Sequence, residues 1–236
     1  EAGPRDAPAI VLLHGFPSSS HMFRNLIPAL EHRYRVIAPD YPGFGQSSMP
    51  KVDEFDYTFD KVASVINDFT VAKGLERYAM YVFDYGAPVG WRLAVANPRK
   101  ITAIVSQNGN AYEEGLSEGW ADMRKAWDAP TAENREALRR FNTPDMIKWQ
   151  YTEGVQDPSL IAPESYQLAS AAIERRLSVT RGPLPGPGLL HQVRGDDGRD
   201  VRLGAGAISD IHRRRLALQR QGELADRLRI GGRRRR

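Results

Sequence analysis

Apolar residues fall into two alternating patterns over the first 110 positions. Short continuous runs stand at Ala9–His14, Tyr34–Pro39, Tyr78–Phe83 and Ile101–Ser106, as buried strands of a parallel sheet require. Between them the spacing turns helical. Met22, Leu26, Ile27 and Leu30 predict a helix over about 21–32, with N-cap candidates in Ser18, Ser19 and Ser20. Val62, Val65, Ile66 and Phe69 share one face of a predicted helix over 59–73, and a third helix runs from the Gly86 region to about Ala96. Strands alternating with helices imply right-handed crossovers, with ligands bound at the carboxyl ends of the strands. Beyond residue 110 the pattern is helical, as in Thr131–Phe141 and Pro144–Tyr151. After residue 175 no apolar β-branched run of strand length remains.

The unusual residues stand at the strand ends. His14-Gly15-Phe16-Pro17 follows the first run, the turn-rich Asp40–Ser47 the second, and Asp84-Tyr85-Gly86 the third. The segment Val82–Ala87 has the form of a nucleophile elbow. A sharp strand-to-helix turn lifts one side chain above the sheet and demands small neighbours, and the helix start behind it favours an anionic group. Gly86 and Ala87 meet the size demand, and Val82 meets it loosely. Taken alone, Asp84 also fits a plain helix N-cap. His14 reads first as a packing residue, Asp40 as a loop-fixing residue, and Gly43 and Gly45 as turn residues.

Composition divides the chain. Of its 236 residues, positions 1–174 hold 17 Lys and Arg against 23 acids, while 175–236 hold 16 Arg against 6 acids. All 21 aromatics precede residue 167, and ten of the 21 Gly lie in the last 62 residues. The net charge of +4 therefore averages an acidic part and a basic part and identifies no partner. The absence of Cys excludes disulfides, thiolate metal sites and Cys nucleophiles. No membrane-length apolar run and no signal-peptide pattern is present, so a cytoplasmic location is expected.

Together these motifs resemble the α/β-hydrolase superfamily, in its Asp-nucleophile branch of epoxide hydrolases and haloalkane dehalogenases. The resemblance rests on Leu13–Pro17, Asp40–Ser47 and Phe83–Gly86 with its helix through Pro98. It implies an α/β fold with a mostly parallel sheet: a core over 1–110, a helical cap over 111–174, and a core whose C-terminal part is incomplete. It further implies that Asp84 attacks an electrophilic carbon of a small-molecule substrate to form an ester, which a His-activated water then hydrolyses. The amides of Phe16 and Tyr85 would form the oxyanion hole, with no metal and no cofactor. Tyr85 after the nucleophile, and Phe16 where dehalogenases often carry Asn, favour an epoxide substrate over a haloalkane. Substrate contacts are expected from His14, Pro17, Tyr112, Trp149 and Tyr151.

The resemblance also calls for a late carboxylate and a late His. His191 and His212 are the candidates for the base, but neither has the expected Gly-His-Phe-like context. Glu113 and Glu114 are the candidates for the acid, and the nearer equivalent position holds Asn108, which cannot ionise. Hydrolysis of the ester is therefore expected to be impaired. A shifted reading frame in a GC-rich gene accounts for residues 175–236, since it enriches Arg, Gly, Ala and Pro while losing Lys and aromatics. Read one base later, Arg220–Asp226 permits Gly-Lys-Gly-Asn-Ser-Pro-Ile, similar to a stretch the family carries near its acid. The rival classes are a non-catalytic scaffold and a phosphate-binding tail built on Arg213–Arg215 and Arg233–Arg236. The tail's lack of aromatics argues against nucleic-acid recognition, and the sequence sets no oligomeric state.

Overall fold

In the computed structural model, which describes residues 1–129 and 131–180, the apolar runs form β1 (Ala9–Leu13), β2 (Arg35–Ile37), β3 (Tyr78–Phe83) and β4 (Ile101–Gln107). They make one parallel sheet in the order β2-β1-β3-β4. β1 is interior: Val11 aligns with Ile37 on one side and Met80 on the other, and Val11, Leu12 and Leu13 are fully buried. Alternation along the strands feeds two cores. Val11, Leu13, Met80 and Val82 join the larger one, while Leu12, Val36 and Phe23 form the smaller one on the opposite face. A strand apolar at every position is what burial on both faces selects. β4 lies at the edge, and Val105 is half exposed.

The larger core is covered by α2 (Phe59–Ala72) and α3 (Gly86–Ala96), following a short α1 (Ile27–Leu30). The Thr58 hydroxyl caps α2 by accepting the Lys61 amide at 3.1 Å, leaving Phe59, Val62, Ala63 and Ile66 buried. The helix expected over 21–32 is broken. A 3-10 turn spans Ser20–Phe23, and α1 starts afresh at Ile27 with Pro28 in its first turn, where a missing N–H costs nothing.

The helices after β4 are α4 (Ala121–Asp128), α5 (Ala132–Ala137), α6 (Pro144–Thr152) and α7 (Glu164–Thr180). The helix expected over Thr131–Phe141 is α5 continued by a 3-10 turn, Leu138–Asn142. A small core of Ile147, Ala169 and Ile173 joins α6 to α7, and Phe16 packs against it. α7 also continues past residue 174, the expected end of the cap, to Thr180. Arg175 and Arg176 hold that last turn in place. Arg175 donates to the Gly45 carbonyl, and buried Arg176 lies 4.7 Å from the Tyr57 ring and 5.2 Å from the Phe44 ring, within cation–π range. Among the described residues no helix is long and apolar enough to cross a membrane.

Close approach at the end of β1 sets strict size limits. A Cβ on Gly86 would lie 2.1 Å from the Leu13 carbonyl oxygen. One on Gly90 would lie 2.5 Å from Val82 Cγ1, so Gly90 makes the room that the large Val82 takes at the elbow. Ala is worth about 1 kcal/mol more than Gly in an open helix, yet overpacking costs about 1–3 kcal/mol, and here the obstacle is backbone. Gly86→Ala is therefore expected to lower the urea midpoint at unchanged slope. An unchanged or raised midpoint would show that β1 and α3 are not locked by this contact.

Candidate active site

Asp84 sits between β3 and α3 with φ at 50°, a left-handed conformation that Asp and Asn tolerate better than other side-chain-bearing residues. Its Oδ1 accepts the Phe16 amide at 2.7 Å. Phe16 can reach it because Gly15 has no side chain: a Cβ there would lie 2.5 Å from Asp84 Cβ and 2.7 Å from Oδ1. Burial raises the Asp84 pKa above its ordinary value, and backbone hydrogen bonds from Phe16 and then Tyr85 pull it partly back. The Phe16 amide, one of the two expected to form an oxyanion hole, therefore already engages Oδ1 of the carboxylate.

The loops around this turn are fixed from below. His14 is fully buried and stacks on Tyr41 at 4.2 Å. Its Nδ1–H donates to the Gly15 carbonyl at 3.0 Å, while Nε2 accepts the Tyr41 amide at 3.4 Å. Burial holds its pKa down to about 4, so the ring is neutral and serves the loop. Asp40 acts likewise: its carboxylate accepts the Ser20 amide at 2.7 Å and the Gln46 amide at 2.8 Å. The Phe16–Pro17 peptide is cis and Pro17 is buried.

A cavity of about 60 Å³ opens beside the half-buried Asp84. Tyr85, Asn108, Asn110, Trp120 and Trp127 are among its walls. Of the expected site residues, the fold gathers Asp84, Tyr85 and Phe16. Phe16 and Tyr85 also line a neighbouring cavity of about 30 Å³ with Arg176. His14 lies beneath the loop and lines neither cavity. Tyr112 and Trp149 are each 52% exposed. Tyr151 belongs to the α6–α7 cluster, its ring 6.4 Å from that of Tyr166. Glu113 and Glu114 fall on a 3-10 turn after β4, with Glu114 exposed. His191 and His212 lie outside the described residues.

Three features escape the sequence pattern. Arg176 looks like one more Arg at the start of a basic segment, and only the fold buries it beside Tyr57 and Phe44. Asn110 Nδ2 and Trp127 Nε1 are buried without a hydrogen-bond partner. Nothing in the sequence aligns Trp127 with Asn110, 17 positions before it. Among the described residues no group of three His, Asp or Glu side chains is placed to hold a metal ion.

The sequence profile of the α/β hydrolase fold matches residues 8–149. An uncharacterized hydrolase of Saccharomyces cerevisiae is 42% identical over 179 residues, covering 74% of this chain and 61% of the relative. Haloalkane dehalogenase 2 of Mycobacterium tuberculosis is 40% identical over 101 residues, 43% of this chain and 35% of its own. A solved structure of a candidate epoxide hydrolase from Pseudomonas aeruginosa superposes with a TM-score of 0.63 at 23% identity, covering 92% of this chain and 69% of that one; at that identity the likeness is one of fold. This chain thus spans about three fifths of the yeast protein and about a third of the dehalogenase. With the profile covering more than half of its length and a strand-turn-helix elbow at the expected strand end, the chain belongs to the α/β-hydrolase fold family.

Proposed function

We propose that this chain carries the nucleophilic half of a hydrolase that works through an alkyl-enzyme ester on Asp84. The observation that carries the reading is the Asp84 carboxylate, raised at φ 50° on the β3–α3 turn with one oxygen held by the Phe16 amide at 2.7 Å. A carboxylate used as an N-cap would turn to the amides of its own helix. Here the contact spans 68 residues of sequence. Oδ2 attacks carbon, and Oδ1 becomes the ester carbonyl already seated against the Phe16 amide, where the oxyanion of the hydrolytic step would form.

An ionised carboxylate needs no base to remove a proton before attack. This suits carbons that bear a strained or departing heteroatom, and small epoxides and alkyl halides are the substrates the reading implies. The names of the relatives, a haloalkane dehalogenase and a candidate epoxide hydrolase, support that range. Tyr112 and Tyr151, expected to contact substrate, do not line the Asp84 cavity and so add no support to an epoxide preference. Ester hydrolysis needs a water and a base. His14, neutral and engaged on both nitrogens, does not supply one.

Incubation with n-butyl bromide or styrene oxide followed by intact-mass measurement should show one covalent adduct per chain, absent in Asp84→Asn. No adduct with either electrophile, or an adduct that survives the substitution, would remove the nucleophile assignment. The pH dependence has a fixed sign. Only the ionised carboxylate attacks, so the alkylation rate should rise with pH through a midpoint above the ordinary Asp value of 3.8 and then level off. A midpoint at or below that value would contradict the desolvated carboxylate.

A further inference from the structure

β4 runs into the Asp84 cavity through a chemically labile pair. Of the Asn residues in the chain only Asn108 is followed by Gly, and the fold selects both members by shape. Asn108 leaves β4 with φ at 47°, a left-handed conformation that Asn adopts with less strain than most residues with a side chain. At Gly109 a Cβ would lie 2.5 Å from the Ala87 Cβ and 2.9 Å from the Ser106 Oγ. Ala87 stands at the start of α3, directly behind the Asp84 turn. Neither position accepts a larger or stiffer residue without strain, so packing keeps the pair whatever its chemistry.

An Asn side-chain amide is most open to attack by the next backbone nitrogen when Gly follows, because Gly sets no side chain beside that nitrogen. The Gly109 nitrogen, its proton lost to hydroxide, adds to Asn108 Cγ. The Cγ–Nδ2 bond breaks, and its electron pair leaves on the nitrogen, which takes a proton from water and departs as ammonia. Water then opens the resulting succinimide. Cleavage at the Cγ–N bond leaves Asp, whereas cleavage at the main-chain carbonyl carbon leaves isoaspartate. Either way one water enters, one ammonia leaves, and a carboxylate replaces a carboxamide. Asn108 is exposed, so water and hydroxide reach it. Asn110 is half-buried, and Ala111 sets a Cβ beside the nitrogen that would attack it.

We propose that Asn108 is a self-modification site, at which the chain acquires with time a second carboxylate on the wall of the Asp84 cavity. Asn108 and Asp84 both line that cavity, and a like charge there disfavours the ionised form of Asp84. The titratable groups on which the Asp84 charge acts are Tyr41, in the loop after β2, and Tyr85, at the start of α3. Burial keeps both phenols neutral, and the charge of Arg176 from α7 acts on Tyr85. Isoaspartate also adds one carbon to the backbone just before Asn110, whose carbonyl accepts the Trp91 indole N–H at 3.2 Å. Deamidation requires no reaction at Asp84, so its presence or absence leaves the nucleophile assignment untouched.

The test incubates the freshly purified full chain at mildly alkaline pH and follows it by intact mass and peptide mapping. The mass should rise by the difference between an amide NH2 and a carboxyl OH, with heavy oxygen entering at residue 108 when the solvent carries it. The rate should follow hydroxide concentration, and part of the product should accept methyl groups from a protein isoaspartyl methyltransferase. Asn108→Gly, which keeps the left-handed backbone without hindrance, should lose the mass gain. Asn108→Asp installs the charge from the start. In that variant the Asp84 carboxyl carbon, assigned by its loss in Asp84→Asn, should titrate a few tenths of a pH unit higher than in the parent. A folded parent that keeps its mass over the time in which the denatured chain gains it overturns the proposal, because the fold then protects the pair. So does a gain that persists in Asn108→Gly. An Asp84 titration unmoved in Asn108→Asp overturns it as well, since the new charge would then not act on the cavity.

Discussion

The approach of the loop after β1 to the turn after β3 is the constraint from which the rest follows. Leu13 ends the central strand with its carbonyl against Gly86, and two residues later Gly15 lies against the Asp84 side chain. Neither contact leaves room for a Cβ: the first is limited by the Leu13 carbonyl and the second by Asp84 Cβ, atoms whose places the backbone fixes. Backbone-limited contacts do not relax by changing rotamer. The amide of Phe16 is thereby delivered to Oδ1 with little freedom, and the carboxylate is buried and held at once. The price of this arrangement is a carboxylate that ionises less readily than it would in water, which is also what makes it reactive once ionised.

Phe16 extends the constraint outward. Its amide serves Asp84, while its ring packs with the larger core, with Tyr85 at 5.7 Å, and with the α6–α7 cluster. One residue therefore couples Asp84, Tyr85 and the helical segment. A second tie comes from the end of α7, where Arg175 reaches the Gly45 carbonyl and Arg176 is flanked by Phe44 and Tyr57. The helical segment is thus fastened to loops at the carboxyl ends of both β1 and β2. Substitutions at Phe44 or Tyr57, which touch no reacting group, act on the site through the seat of α7.

The central strands and the elbow were legible in the sequence because their signals are local. Ala9–Leu13 is apolar at every position, and a strand, a turn and small residues around Asp84 follow one another without a gap. The same holds for Asp40, whose place in a turn-rich loop already marked it as a loop-fixing residue. Long-range geometry is where local reading lost information. Val82 looked too large for the elbow because its room comes from Gly90, eight positions on and a turn into the next helix. The helix over 21–32 looked continuous because hydrophobic spacing does not register the missing N–H of Pro28. Tyr151 was expected to contact substrate, yet it packs in the α6–α7 cluster, and the buried N–H groups of the Asp84 cavity belong to an Asn and a Trp. Nothing in sequence distinguishes a buried unpaired N–H from a satisfied one, since that property belongs to the surroundings.

Electrostatics bears on the proposed reaction at Asp84. In a partly dry site a localised negative charge is disfavoured, and the amides of Phe16 and Tyr85 moderate that cost for Asp84 without cancelling it, so its pKa stays raised. In the proposed displacement the carboxylate would lose, on forming the ester, the very charge whose desolvation raised its pKa. A ground state poorly served by its surroundings and a displaced state better served is the difference in binding that accelerates a chemical step.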